Sequence, residues 1–422
     1  MALLWLLCCT PEAPLEAEPG PDVGPEAPPS PARTLRKDPP RNAVLIVIDT
    51  LRADVLAEAD TPNIDSLGQQ RSARAWSSGT WTVPSVVSLF TGADVRSHGF
   101  DLPTGKLGRY PLLPDMPLLS EVLAAEGFRT DGLYSNGYLA EELGFDRGFD
   151  AWRRVSDKVL AKEFRGLVVK HWTPGGRHFA YLHFLGPHSP LKPSAEAQEE
   201  HGLDAEWFEG RMGLEIGAAK RNEPGARLAY QQAYRAVVED TDLRIGEVLE
   251  ALGQHREDTL IVLTSDHGEL LGEHGVVGHG YWVYEPLTSV PYLVSGARTE
   301  LPEFVSNAAT AQLLCDELGV DHTFSVSLET TPIVSQREGK LALSEDGRYK
   351  AIWDPSPKAK AAFGVFDLEH DPEELVPLAV DHDLRASREA WERAMTEATP
   401  LVERVELSEE TSEELKKLGY IE

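Results

Sequence analysis

Six consecutive apolar, mostly β-branched residues, Ala43-Val-Leu-Ile-Val-Ile48, follow a polar opening stretch and offer no polar position to mark an exposed face. A strand of that kind is covered on both sides, as in the centre of a parallel sheet. Two further runs have the same character: Phe179-Ala-Tyr-Leu-His-Phe-Leu185 and Thr259-Leu-Ile-Val-Leu-Thr264. Elsewhere the apolar period lengthens to that of helices, over residues 228–252 up to Gly253 and in shorter stretches at 85–91 and 118–126, each stopped by glycine. Strands alternating with helices predict an α/β fold, a doubly wound and mostly parallel sheet flanked by helices. From about Ser327 the pattern shortens. Candidate strands at 340–344, 349–353 and 362–366 predict a small C-terminal antiparallel sheet, and residues 387–422 have the pattern of acidic surface helices. No internal repeat is present.

These shifts divide the chain into a leader and proline-rich linker (1–40), a main domain (41–326) and a small C-terminal subdomain with a helical tail (327–422). A length of 422 residues suits one large α/β domain plus an appendage. The leader, Met1-Ala-Leu-Leu-Trp-Leu-Leu-Cys-Cys9, precedes a segment from Pro11 to Pro40 that holds ten of the thirty prolines. A short apolar run ending in cysteine and followed by a polar tether predicts export, to the periplasm or outer surface, with a membrane tether through lipid on Cys8 or Cys9. The run lacks a basic start and is short for a signal, so a disordered tail is the competing expectation. A net charge of −29 argues against nucleic acid as a partner. With Cys8 and Cys9 in the leader, Cys315 stands alone, in an apolar helical stretch over 310–318. It is expected to be a buried thiol, and any metal must then be held by Asp, His and hydroxyl groups.

Each of the three apolar runs ends in residues that bind metals or move protons. Ile48 is followed by Asp49, Leu185 leads to His188, and Thr264 leads to Asp266-His267. In open α/β sheets, sites gather beyond the carboxyl ends of the strands. Ser265-Asp-His-Gly-Glu269 places a carboxylate and an imidazole within reach of one ion, although the same residues also make an ordinary turn. Thr80-Trp-Thr-Val-Pro-Ser-Val-Val-Ser-Leu-Phe-Thr-Gly92 puts Pro84 in the first turn of a helix and Thr82 just before it. By itself this pattern is more often a simple helix cap. Together, Asp49, Thr82, Asp266 and His267 offer three charged or imidazole ligands and one hydroxyl. A divalent cation there would lower the hydroxyl's pKa and polarise substrate oxygens.

The order of these motifs resembles the sulfatase family, of alkaline-phosphatase-like fold. The residues that carry the resemblance are Ile48-Asp-Thr-Leu-Arg-Ala-Asp54, Thr61-Pro-Asn-Ile-Asp65, Thr82-Val-Pro-Ser85, His98-Gly99, Gly127-Phe-Arg-Thr130, Gly148-Phe-Asp150, Pro187-His-Ser-Pro190, Ser265-Asp-His-Gly268, Val290-Pro291 and Phe366-Asp-Leu-Glu-His-Asp-Pro372. It runs from about Asn42 to Glu422, and the departures are informative. Where most sulfatases carry a cysteine or serine that is oxidised to formylglycine, this chain has Thr82, which cannot become an aldehyde by that route. The supporting arginine is Val86, one calcium-ligating aspartate is Thr50, and Ser135-Asn136 stands where a lysine is expected. What remains is similar to the threonine-nucleophile branch of the superfamily, which implies Asp49, Thr82, Asp266 and His267 as metal ligands. Mn²⁺ or Zn²⁺ suits such a site better than Ca²⁺.

The resemblance thus implies a sulfatase-like hydrolase of a sulfate or phosphate ester, small or carried on a glycan or lipid, with Thr82 as metal-activated nucleophile and no formylglycine. His188 and His279 are the expected catalytic histidines, for binding anionic oxygens or protonating the leaving group. His274 is expected in a loop or behind the ligands, and His98 in a structural place. Arg52 meets either a substrate anion or the Asp49 loop. The competing expectations are a transferase that passes a phospho-substituent to an acceptor hydroxyl and a non-catalytic binding protein of the same fold.

Overall fold

The three apolar runs form the three central strands of one seven-stranded sheet. The computed structural model describes residues 35–101, 109–111, 116–203, 225–354, 363–378, 404–406, 408–410 and 412–413. The apolar leader with Cys8 and Cys9, and most of the proline-rich linker, lie outside the described residues. Among those described, no helix is long and apolar enough to cross a membrane.

In chain order the sheet comprises β1 (Asn42–Ile48), β2 (Gln70–Arg71), β3 (Arg129–Tyr134), β4 (Ala151–Arg154), β5 (His178–Phe184), β6 (Thr259–Thr264) and β7 (Tyr292–Ser295). Their spatial order is β2-β7-β6-β1-β5-β3-β4. β1 pairs in parallel with β5 and β6, and β3 in parallel with β5 and β4, while β7 runs antiparallel to its neighbours β6 and β2. All seven residues of β1 are buried. Alternate side chains serve two cores, Ala43, Leu45 and Val47 on one face and Val44, Ile46 and Ile48 on the other. Each large apolar side chain so buried contributes roughly 1.5–3 kcal/mol.

The first face is covered by α1 (Thr82–Thr91), α2 (Leu119–Ala125) and, later in the chain, α5 (Thr310–Leu318). The second is covered by α3 (Asp157–His171) and α4 (Ala226–Leu252). The expected doubly wound arrangement is therefore present. α4 ends at Gly253 as its pattern predicts, and β6 matches its predicted span residue for residue. Cys315 is fully buried in α5, where burial pushes its thiol up to about 12. Gly92 ends α1 at φ 54°, and a Cβ there would lie 2.6 Å from Phe324, so both conformation and space call for glycine.

The small antiparallel sheet has four strands, β8 (Ile333–Arg337), β9 (Lys340–Ser344), β10 (Tyr349–Trp353) and β11 (Phe363–Asp367). The first has no clear apolar alternation because buried Ser335 and Gln336 interrupt it. Gln336 is held instead by a hydrogen bond to Asp101. Residues 387–422 depart from the expected helices at one described place. Arg404–Glu406 is a strand paired with Arg109–Pro111, a partner far away in sequence that no local pattern announces. Most of that tail lies outside the described residues.

Candidate functional site

Asp49 is the first residue beyond β1, and its N–H still donates to the Phe184 carbonyl of β5 at 2.9 Å. The chain then turns through Thr50 in the left-handed region (φ 60°), a costly place for a β-branched residue. Three groups hold the turn. The Thr50 N–H donates to Asp266 Oδ1 at 3.2 Å, the Tyr234 hydroxyl of α4 donates to the Thr50 carbonyl, and the Arg52 N–H donates to the Tyr234 hydroxyl. Arg52 itself pairs with Asp54 and Glu273 and donates to the Glu269 carbonyl, so it holds the loops around the site.

Beyond β6, Asp266 and His267 are fully buried. The glycine that follows is needed for space rather than for an unusual φ. A Cβ at Gly268 would lie 1.9 Å from the Pro286 carbonyl oxygen, and its N–H donates to Leu287 at 2.9 Å. Thr82 is the first residue of α1 rather than the residue before it, because Trp81 takes the extended N-cap position. Pro84 occupies the first turn, as its missing N–H allows. Val86, where the resemblance expects arginine, is buried in the core of the first face.

The six residues singled out in the sequence come together. Asn136, in the loop after β3, is the link: its amide nitrogen donates to Asp49 Oδ2 at 2.6 Å and to Thr82 Oγ1 at 3.1 Å. Its own oxygen accepts from the Tyr138 N–H at 2.9 Å, which fixes the amide's orientation. His267 Nε2 lies 3.6 Å from Asp49 Oδ1 and 3.5 Å from Asp266 Oδ2. The His279 ring is 4.5 Å from the His267 ring, and the His188 ring is 5.0 Å from that of His279. Left-handed Gly278 and Gly280 flank His279 and turn it inward, where Nδ1 meets Glu269 Oε1 at 3.2 Å. His274 stacks on Tyr284 at 3.8 Å, and His98 meets Ser88 of α1 at 2.9 Å.

Three residues of the site were missed. His183, Asn136 and Glu269 are all fully buried here. His183 was legible as a histidine inside an apolar run, and Glu269 stood in the quoted motif. For Asn136 the signal was the Ser135-Asn136 pair standing where the resemblance expects a lysine, beyond a strand end.

Burial and the neighbouring Asp266 hold the Asp49 carboxyl well above its ordinary value. Asp266 goes the other way: burial raises it, but His267 and His183 outweigh that and leave it low. Burial pushes His267 and His279 down to about 4 and, with His279 adding, His188 down to about 3. It also pushes Glu269 up to about 7. His267 Nδ1 faces the Gly268 carbonyl at 2.9 Å, so it is the protonated nitrogen, and Nε2 turns its lone pair toward two carboxylates. Asp49 Oδ1, Asp266 Oδ2 and His267 Nε2 have no hydrogen-bond partner. Converging lone pairs in a buried space repel unless a cation lies among them. This donor set therefore fits a divalent metal ion.

The family profile described as Sulfatase matches residues 41–316. The chain is 30% identical over 285 residues to the low-salt glycan biosynthesis sulfotransferase of Haloferax volcanii, covering 64% of this chain and 58% of that protein. It is 40% identical over 178 residues to the iduronate 2-sulfatase of Homo sapiens, covering 35% and 32%. The chain thus spans less than two thirds of either relative. The phosphonate monoester hydrolase of Agrobacterium radiobacter superposes with a TM-score of 0.62 at 19% identity, over 85% of this chain and 95% of that one, which is a likeness of fold.

Proposed function

The chain belongs to the sulfatase family, and from that premise we propose that it hydrolyses a sulfate or phosphate ester with the Thr82 hydroxyl as nucleophile. The observation that carries this is the Asn136 amide, which holds Thr82 Oγ1 beside Asp49 at the start of α1. The amino end of a helix favours the anionic group of such an ester. Asp49, Asp266 and His267 would hold the divalent ion on which the family depends. That ion supplies positive charge that lowers the hydroxyl's pKa and polarises the ester oxygens.

Thr82 Oγ1 bonds to sulfur or phosphorus while the bond to the ester oxygen breaks. The hydroxyl proton passes to water, and the departing oxygen takes a proton from the Glu269–His279 pair, which regains it when water releases the group from Thr82. Water then breaks the bond to Thr82 and restores the hydroxyl. The names of the two curated relatives favour an ester carried on a sugar. A second reading, transfer of the group to an acceptor hydroxyl, is favoured by the name of the first relative. The same residues would serve, with that hydroxyl in the place of water.

The test is p-nitrophenol release from sulfate, phosphomonoester and phosphodiester substrates with Mn²⁺, Zn²⁺ or Ca²⁺, beside Thr82→Ala. Turnover that disappears in the variant is expected, and the preferred ester separates sulfate from phosphate. Turnover that survives in the variant would remove Thr82 from the mechanism.

A further inference from the structure

The roles assigned above leave out His183. It lies in the last turn of the pleat of β5, fully buried, and neither ring nitrogen has a hydrogen-bond partner. Strand register explains where its ring points. His183 pairs with Val47 of β1, which in turn pairs with Thr264 of β6. Asp49 and Asp266 each follow two residues later, so by alternation His183 lies one step beneath both carboxylates on the same side of the sheet. Its Nε2 is 4.0 Å from Asp49 Oδ2 and 3.9 Å from Asp266 Oδ2. Those separations exceed hydrogen-bond reach, so His183 does not merely cap a carboxylate.

Asp49, His183 and Asp266 thus bring ligand atoms within 4.8 Å of one another, and His267 Nε2 lies 3.5 Å from Asp266 Oδ2. We propose that His183 is a direct metal ligand beside Asp49, Asp266 and His267, in a centre that keeps a place for the Thr82 hydroxyl and takes a zinc-class dication in preference to Ca²⁺. This rests on the metal-dependent chemistry above and adds a second imidazole ligand to it. Zinc–ligand bonds of about 2.0–2.1 Å set neighbouring donors roughly 3 Å apart. The separations from Asp266 Oδ2, 3.5 Å to His267 and 3.9 Å to His183, need only a modest contraction to reach that. Calcium asks instead for six to eight oxygens at roughly 2.3–2.6 Å, and two of the donors here are imidazole nitrogens. Imidazole prefers the borderline transition metals.

The test uses the full chain, stripped of metal and reloaded, and needs no turnover. Dialysis against equal Zn²⁺ and Ca²⁺ followed by elemental analysis should leave about one zinc per chain. With one equivalent of Cu²⁺ as a spectroscopic probe, electron spin-echo modulation should count two imidazoles in the wild type and one in His183→Gln. Zinc affinity should fall by about 100-fold or more in that variant. One imidazole in the wild type, retention of calcium over zinc, or affinity within about 3-fold in the variant would overturn the assignment. If His183→Gln does not fold, the wild-type count and the metal retained still decide. Zinc bound through two imidazoles with no ester turned over would sink the hydrolase reading and leave the ligand assignment standing.

Discussion

Two clusters of buried ionisable side chains, built from similar chemistry, end in opposite states. Behind the small sheet, the fully buried Lys350 ammonium lies 3.0 Å from Glu285 Oε2 and 2.8 Å from Glu374 Oε1, and also donates to Thr288 Oγ1 at 3.1 Å. Trp76 donates to Glu285 at 3.1 Å, and the Glu285 N–H donates to Glu374 at 2.7 Å. Every carboxylate there meets a positive charge. At the carboxyl edge of the central sheet, Asp49, Asp266, His183 and His267 contain no fixed cation, and Asp49 Oδ1, Asp266 Oδ2, His267 Nε2 and both His183 nitrogens are unpartnered. The first cluster closes on itself and joins two parts of the fold, whereas the second has its missing charge as an invitation to a ligand. Burial alone does not distinguish structure from function; incomplete pairing does.

Substitutions should therefore separate the two regions by what they damage. The largest effect is expected for Thr82→Ala, with ester turnover down about 10,000-fold or more and an unchanged urea midpoint. A loss of stability of comparable weight would instead make Thr82 part of the core. Lys350→Met should show the reverse, costing about 3–5 kcal/mol in urea unfolding because two carboxylates are left buried without their counter-ion. Its turnover below the transition should stay within about 2-fold of the wild type, and a selective loss of turnover would couple the closed cluster to catalysis.

Asn136→Ala is expected to lower kcat about 10–100-fold with little change in KM, since the amide orients Thr82 and Asp49 without touching substrate. Asn136→Asp should fall further, because it sets a carboxylate against Asp49 in place of a donor. Equal effects of both variants on KM would point to a substrate contact.

The smallest effect concerns pH. Burial raises the Glu374 carboxyl from 4.5 to about 7, with Lys350 opposing and Glu285 adding to the rise. A folded value above the unfolded one means that the native state holds the extra proton. The resulting stability is full below about pH 4.5 and is lost as pH rises through about 7. The fall in melting temperature from pH 5 to 8 should accordingly be shallower in Glu374→Gln than in the wild type. Parallel curves would show that Glu374 does not titrate in that range.

The class of fold and the candidate residues at the sheet's carboxyl edge were legible along the chain. Continuous apolar runs of this length, rich in β-branched residues, suit strands covered on both faces, and such strands bring Asp49, His188 and Asp266-His267 to one edge wherever the intervening helices lie. The glycine after α4 and the buried Cys315 were equally local matters. Tertiary structure alone decided the rest. Asn136 became the link between Thr82 and Asp49 because a loop after β3 reaches across β5 to β1, a relation no local spacing encodes. His183 acquired its place from the parallel register of β5 with β1. The pairing of Arg404–Glu406 with Arg109–Pro111 and the Lys350 cluster likewise join distant segments. Periodicity reports which face of an element is buried. It does not report which residue from elsewhere meets that face, and partners brought together by long-range register are what set the charge and coordination of this site.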